Sequence, residues 1–326
     1  MAHKFAKDEP KGFNNSIQKV AAVGAGGQIG RPIAEQLLKT GKHAVTALTR
    51  AGSNSPLPPG VKVASVDYDN ESSLVDALKG QEFLVITLSL SAKPGTHSTL
   101  VRAAAKAGVQ YVMPNAYSIN FTTSEDLRRD IPVSNTVLAN ISEIQQLGMT
   151  SITLMNGFWY EYSLIAGPNT FGFDLDNRVV TFYDDGLKPI NASTWLQCGR
   201  AVAALLSLKV LPEDADDKSM TISHYHNNTL LISSFKVSQR DMLDSIQRVT
   251  NTTDKDWKIY NEPSSERYKA GVKEMEQGKP EGFYKSMYAR VFYPSADADF
   301  ESHGDRLGLP VEDLDESTRF ALSLKN

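Results

Sequence analysis

The chain has 326 residues, 41% of them hydrophobic and 22% charged, with 34 Lys and Arg against 38 Asp and Glu for a formal net charge of −4. That length supplies one large domain or two coupled ones with a sizeable core, and the apolar fraction excludes disorder, collagen and fibrous repeats. A weakly acidic balance argues against nucleic acid as the principal partner, and a single cysteine, Cys198, excludes an intramolecular disulfide framework or a Cys-based metal cluster.

Residues 1–15 read as a polar leader, too polar for the apolar core of a secretory signal. No stretch approaches the ~20 apolar residues of a membrane span; the longest, Ala201 to Leu211, is interrupted by Ser207 and Lys209. A cytoplasmic protein with no membrane partner is the expectation, and the N-x-Ser/Thr triplets at Asn120, Asn191, Asn227 and Asn251 read as chance matches. The apolar run Val20 to Val23 predicts a first strand. Gly24 to Gly30 is glycine-rich, and Ile29, Ile33, Leu37 and Leu38 then fall on one helical face, with Gly41 as a stop. Val45 to Leu48 predicts a strand ending at Thr49-Arg50, Val61 to Val66 another, and Leu74–Leu78 a short helix. Phe83 to Leu88, Tyr111 to Met113 and Ser151 to Met155 predict strands four to six, separated by helices over Ser98 to Ala107 and Thr136 to Leu147. Strands alternating with helices imply an α/β fold: a Rossmann-type, doubly wound parallel sheet.

Beyond Asn156 the alternation degrades. Gly157 to Gly172 reads as an aromatic, pocket-lining loop, Thr194 to Leu208 as a helix packing back on the sheet, and Lys209 to Lys218 as an acidic surface loop. Met220 to Phe235 alternates like one or two strands, which would set His224 and His226 on one face. Without a nearby carboxylate cluster they do not suggest a metal, and no metal site is expected. Ser238 to Val249 and parts of 264–294 read as helices. The organisation expected is a cofactor domain over 16–156 and a smaller α+β substrate region over 157–326.

The sharpest signal is Gly24-Ala25-Gly26-Gly27-Gln28-Ile29-Gly30 between a strand and a helix. Gly24 permits the tight turn, Gly27 lets backbone N–H groups approach a pyrophosphate, Gly30 allows close helix–strand packing, and the helix N-terminus offers donors to the phosphates. An NAD-selective site wants a carboxylate at the end of strand two. This chain has Arg50 there and no acid between Glu35 and Asp67, which favours the 2′-phosphate of NADP(H).

At these residues the sequence resembles the NmrA-like and isoflavone-reductase-like branch of the atypical short-chain dehydrogenases, in a fungal-type form. Gly24, Gly27, Gly30 and Arg50 match its G-x-x-G-x-x-G and strand-two Arg. Met113-Pro114-Asn115-Ala116-Tyr117 is similar to the end of its fifth strand, and Asn156-Gly157-Phe158 to its Asn-x-Phe segment beside the nicotinamide. The tail from Leu307 to Glu316 is similar to that of fungal members. The resemblance spans about residues 15–326 and implies an NADP(H)-dependent oxidoreductase of secondary metabolism. One departure stands out: characterised reductases of the family carry a lysine on the helix before strand six, and Val133 to Glu143 has none. There is no Tyr-x-x-x-Lys pair either. The name-giving branch implies an alternative, a non-catalytic NADP(H) sensor that binds a protein partner; a lyase or isomerase on the same fold is a third.

The carboxyl edge of strands four to six selects Thr87, Leu88 and Ser89 for cofactor contact, and Asn115, Tyr117 and Asn156 for the reacting centre. Tyr117 reads as a proton donor or as a pocket-wall tyrosine, and Lys93 as a replacement acid or a solvated loop residue. Trp159, Tyr160, Tyr162, Tyr284 and Tyr288 suit a flat aromatic substrate, or else core packing. Cys198 reads as a small buried apolar residue, and Glu125-Asp126 with Arg128-Arg129 as a solvated helix start.

Overall fold

The computed structural model describes residues 5–89, 91–122, 124–131 and 133–325; the first four residues of the polar leader fall outside them. The first half of the chain lays down β1 (Lys19–Val23), α1 (Gly30–Lys39), β2 (Ala44–Arg50), β3 (Lys62–Val66), α2 (Glu71–Leu78), β4 (Phe83–Ile86), α3 (Thr96–Ala107), β5 (Tyr111–Met113), α4 (Glu125–Asp130), α5 (Val133–Gln146) and β6 (Thr150–Met155). The second adds β7 (Phe158–Trp159), α6 (Tyr160–Ile165), β8 (Phe173–Asp174), β9 (Val179–Tyr183), β10 (Ile190–Ser193), α7 (Trp195–Leu206), β11 (Asn228–Leu231), β12 (Phe235–Val237), α8 (Gln239–Thr250), β13 (Lys258–Glu262), α9 (Ser264–Glu276), α10 (Glu281–Val291) and α11 (Leu314–Ser323).

Seven strands form one parallel sheet in the order β11-β6-β5-β4-β1-β2-β3. The order reverses between β1 and β4, and the crevice outside their carboxyl ends is where such sheets bind ligands. Strand side chains alternate between two covered faces. Val20, Ala22, Phe83 and Val85 enter a core with α1 and α7, while Ala21, Val23, Leu84 and Ile86 enter a second with α2 and α3. Burial on both faces explains why these strands read as continuous apolar runs. Helix α7 crosses α1 closely because Gly199 has no side chain: a Cβ there would meet the carbonyl of Pro32. Two three-stranded sheets, β12-β10-β7 and β13-β9-β8, complete the molecule.

The C-terminal elements enclose an aromatic core that includes Tyr160, Phe171, Phe173, Phe182, Tyr183, Tyr288 and Phe292. Its buried hydroxyls find partners: Tyr160 with Thr318 (2.6 Å), Tyr288 with Ser163 (2.7 Å), and Tyr183 donating to the Thr170 carbonyl (2.6 Å). Left unpaired, each would cost about 1–3 kcal/mol. Arg290 of α10 pairs with Asp130 (2.6 Å), the last residue of α4, and so ties this region to the cofactor half.

Two expectations are corrected. Gly157 to Gly172 is not an open loop but holds β7 and α6, with Phe158, Tyr160, Leu164 and Phe171 all buried. His224 and His226 do not share a strand face: Ile222–Tyr225 is a 3-10 turn, and the His224 ring nitrogen accepts the Thr221 backbone N–H at 3.2 Å. Within the polar leader, residues 5–15 are tied to the segment after α7. Ala6 N–H donates to the Pro212 carbonyl (2.9 Å), and the Asn15 amide both donates to the Leu211 carbonyl (2.9 Å) and accepts the Leu211 N–H (2.8 Å).

Candidate functional site

The glycine loop fills the crevice at the reversal point. Gly24 has φ +76°, and a Cβ on it would run into the Thr87 carbonyl; a Cβ on Gly30 would run into the Gly24 carbonyl. Gly27 donates its N–H to the Gly24 carbonyl at 2.8 Å and lies exposed with Gln28, so this stretch presents backbone rather than side chains. Ile29 buries its side chain in the core and serves as the N-cap of α1 without a capping oxygen. No side chain caps the start of α1; Arg31 and Ile33 donate to the Gly27 and Ile29 carbonyls and Pro32 carries no N–H, so Gly30 is the first-turn residue whose N–H an anion suits. Helix α7 is the contrast: the Thr194 hydroxyl accepts from Gln197 N–H and closes that end.

Arg50 ends β2, is exposed, and makes no ion pair among the described residues. Ser55 and Pro56, in the loop after it, close against Gly26, and Arg31 donates to the Pro56 carbonyl at 2.9 Å. Arg50 thus ends the strand that pairs with β1, whose end opens into the glycine loop.

At the carboxyl ends of β4 to β6 the side chains divide into committed and uncommitted groups. The Thr87 hydroxyl donates to the Val23 carbonyl (2.6 Å), so its side chain braces the glycine turn instead of facing a ligand. Asn115 spends both ends of its carboxamide on the N–H and C=O of Leu88 (3.1 Å each) and locks β4 to β5. Exposed Ser89 shares a hydrogen bond with Ser91 (2.8 Å). The uncommitted groups are the Tyr117 hydroxyl, the Trp159 and Trp195 indole N–H groups and the Asn156 Oδ1, all buried without a hydrogen-bond partner among the described residues. Tyr117, Trp159 and Trp195 pack against the α1/α7 core. Burial first, and the neighbouring Cys198 thiol second, hold the Tyr117 phenol well above its usual range, which keeps it a neutral donor. Crowded glycines, an uncapped helix end and orphaned polar atoms together fit a dinucleotide with a reacting group beyond it.

Four expected site residues lie elsewhere. Tyr160 and Tyr288 are enclosed in the aromatic core, with their hydroxyls bonded to Thr318 and Ser163. Phe158 is buried there as well, stacked on Tyr288 at 3.8 Å between ring centroids, because its side chain leaves β7 on the side opposite Trp159. Lys93 is exposed and reaches Asp69 at 2.6 Å, past the end of β3, which draws it along the sheet edge away from β5 and β6 and raises its pKa. Trp159, Tyr162 and Tyr284 do form a half-buried series, with centroids 6.5 and 6.4 Å apart. Burial, then the Tyr284 hydroxyl, push Tyr162 up to about 12.

Two buried groups escaped sequence reasoning. His97, in the first turn of α3, has both ring nitrogens buried without a partner, and burial lowers its pKa to about 4. Glu161 is only 2% exposed and accepts the Trp195 N–H. In a segment read as a loop a lone Glu gives no sign of burial; what buries it arrives 34 residues later. Among the described residues no group of three or more His, Cys, Asp or Glu is placed to hold a metal ion, and no helix is long and apolar enough to cross a membrane.

Residues 24–141 match the NAD(P)H-binding family model. Oxidoreductase aprR of Aspergillus flavus is 28% identical over 306 residues, which cover 91% of this chain and 96% of that protein. Two solved structures share the fold. AtPrR2 with NADP+ and (+)pinoresinol superposes with a TM-score of 0.71 at 16% identity, and an isoflavone reductase with 0.70 at 15%; each comparison covers 95% of this chain and 100% of the other. The chain carries an NAD(P)H-binding domain match on a Rossmann-like parallel sheet, and it is similar over most of its length to a protein named an oxidoreductase. Its fold is that of the solved isoflavone reductase.

Proposed function

We propose that the chain is an NADP(H)-dependent reductase of a small aromatic or conjugated molecule, transferring hydride from nicotinamide C4. The observation that carries this is the glycine loop beside an unpaired Arg50. Backbone groups of Gly24, Gly27, Gln28, Ile29 and Gly30 hold the diphosphate, and Arg50 takes the 2′-phosphate. The backbone edges of Thr87, Leu88 and Ser89 border the cofactor, and Asn156 offers its free Oδ1. The bound cofactor supplies the hydride. Tyr117 and Trp159 face the reacting centre as uncharged donors, and Trp159, Tyr162 and Tyr284 form the wall along which a flat substrate lies. Incubation with NADPH and quinone, enone or phenolic acceptors is expected to consume the absorbance of the reduced cofactor. Tight cofactor binding without turnover of any acceptor overturns the reductase reading.

One observation favours a second reading: α5 carries no lysine between Val133 and Glu143, so the family's proton-assisting group is missing. A sensor would bind a protein partner with an affinity set by the cofactor's redox state. Partner affinity that is equal with NADP+ and NADPH sinks it.

A further inference from the structure

The segment that follows Arg50 returns to the glycine loop. β2 runs parallel to β1 with Leu48 opposite Val23, the residue before Gly24, so Arg50 stands two residues past that partner in strands about 4.8 Å apart. The Ser53 N–H donates to the Arg50 carbonyl at 3.0 Å and turns the chain back. Ser55 and Pro56 then settle on Gly26: a Cβ there would stand 3.2 Å from the Ser55 Cβ and 3.0 Å from the Pro56 carbonyl oxygen. From Leu57 onward the anchorage is different, since Leu57 and Val61 pack on the core shared with α1 and Pro58 is buried. Residues 51–56 are all exposed, and the prolines at 56, 58 and 59 stiffen the path behind them.

Among the described residues, one side chain from outside this strap bonds to it. Arg31, in the first turn of α1, donates one guanidinium nitrogen to the Pro56 carbonyl at 2.9 Å and the other to Glu35, one turn further on, at 3.0 Å. Its backbone N–H donates to the Gly27 carbonyl at 2.9 Å. Arg31 is thus fixed to the glycine loop by its backbone and to the strap by its side chain, and Glu35 holds the guanidinium in line. The two arginines differ in state: Arg31 is engaged by protein acceptors, whereas Arg50 makes no ion pair among the described residues. The strap itself carries no acid to oppose a phosphate.

Resting on the cofactor reading, in which Arg50 takes the 2′-phosphate and the glycine loop the diphosphate, we propose that residues 51–56 are the outer wall of the 2′-phosphate site and that Arg31 is the positioning residue that holds this wall. The strap begins at one of the two groups assigned to the nucleotide and lands on the other, so a phosphate held between them has the strap as its neighbour. Arg31 acts through the strap and not on the phosphate, because both ends of its guanidinium are engaged. Bare Gly26 is the matching half of the device, since a side chain there would push Ser55 and Pro56 away. Released from Arg31, six exposed residues gain conformational freedom, and the nucleotide that needs the wall must order them again on binding.

The test uses NADPH and NADH as probes. Their dissociation constants are measured by calorimetry for the full chain, for Arg31→Met, for Arg50→Ala and for the double variant. Arg31→Met keeps an apolar stem and removes both donated bonds. It is expected to weaken NADPH about three- to tenfold, as loss of a hydrogen bond from a charged donor demands, and to leave NADH within about twofold. In the Arg50→Ala background the same substitution should weaken NADPH no further, because the wall then has no phosphate grip to shape. A loss shared equally by NADH, or no loss for either nucleotide, overturns the proposal and leaves the cofactor reading intact. Additive losses in the double variant overturn it as well, since Arg31 would then meet the phosphate independently. Failure of the wild type to bind either nucleotide, or an NADPH affinity that Arg50→Ala does not change, removes the cofactor reading and this proposal with it.

Discussion

The core shared by α1, α7 and the large sheet and the core beneath α6, α10 and α11 solve packing in opposite ways. The first is made of small and aliphatic residues such as Ala22, Ala34, Ala47, Ala201 and Val202, and backbone approaches backbone so closely that Gly24, Gly30 and Gly199 have no room for a Cβ. The second is a lattice of rings, in which Phe171 alone lies within 6.4 Å, centroid to centroid, of Phe158, Tyr160, Tyr288 and Phe292. Close backbone approach is not confined to the first, since Gly172, next to Phe171, has no room for a Cβ either; what separates the two is aliphatic against aromatic filling.

Truncating the ring lattice gives the largest expected effect. Phe171→Ala should destabilise by about 3–5 kcal/mol in urea melts, since four rings lose their common neighbour and the cavity cannot fully collapse. Gly30→Ala adds a single methyl to the other region and should cost about 1–3 kcal/mol through overpacking. It should also abolish detectable nucleotide binding, because the Gly24 carbonyl must move. If Gly30→Ala binds NADPH normally, the crowding has no bearing on the cofactor. Arg50→Ala leaves both cores untouched and should weaken NADPH by roughly 10- to 150-fold, the worth of a charge-assisted pair of about 1.5–3 kcal/mol, with NADH unchanged. Equal loss for both nucleotides in titrations would show that Arg50 does not meet the 2′-phosphate. The smallest effect belongs to Lys93→Ala. Its pair with Asp69 is exposed, so the melting temperature and NADPH turnover should match the wild type, and a loss of turnover would restore Lys93 to the reacting centre.

The contrast between the regions also explains what sequence reasoning reached. In the sheet, burial on both faces forces unbroken apolar runs, so Tyr111–Met113 was placed to the residue and β1, β2, β4 and β6 to within two. The glycine loop was legible because only glycine tolerates such backbone approach. In the aromatic region, side chains that line a pocket and side chains that fill a core have the same composition. Tyr160 and Tyr288 therefore read as substrate contacts, although Thr318 and Ser163, distant in sequence, hold their hydroxyls. Phe158 and Trp159 are adjacent in sequence yet point to different cores, a division that depends on β7 pairing with β10 at Ser193. Glu161 was invisible for the same reason, since the N–H it accepts belongs to Trp195 of α7.

β11 lies against β6 in parallel register, with Leu230 opposite Leu154 and Leu231 opposite Met155. The last strand of the nucleotide-binding sheet is thus donated from beyond residue 227 and reached only after the chain has built α7 against α1. A fragment cut after β6 would bare a row of backbone donors and acceptors along that strand, together with the apolar flank that α7 shields, and such edges recruit other chains. The two halves therefore cannot be produced apart as soluble pieces, and a nascent chain released before β11 emerges would be prone to aggregate.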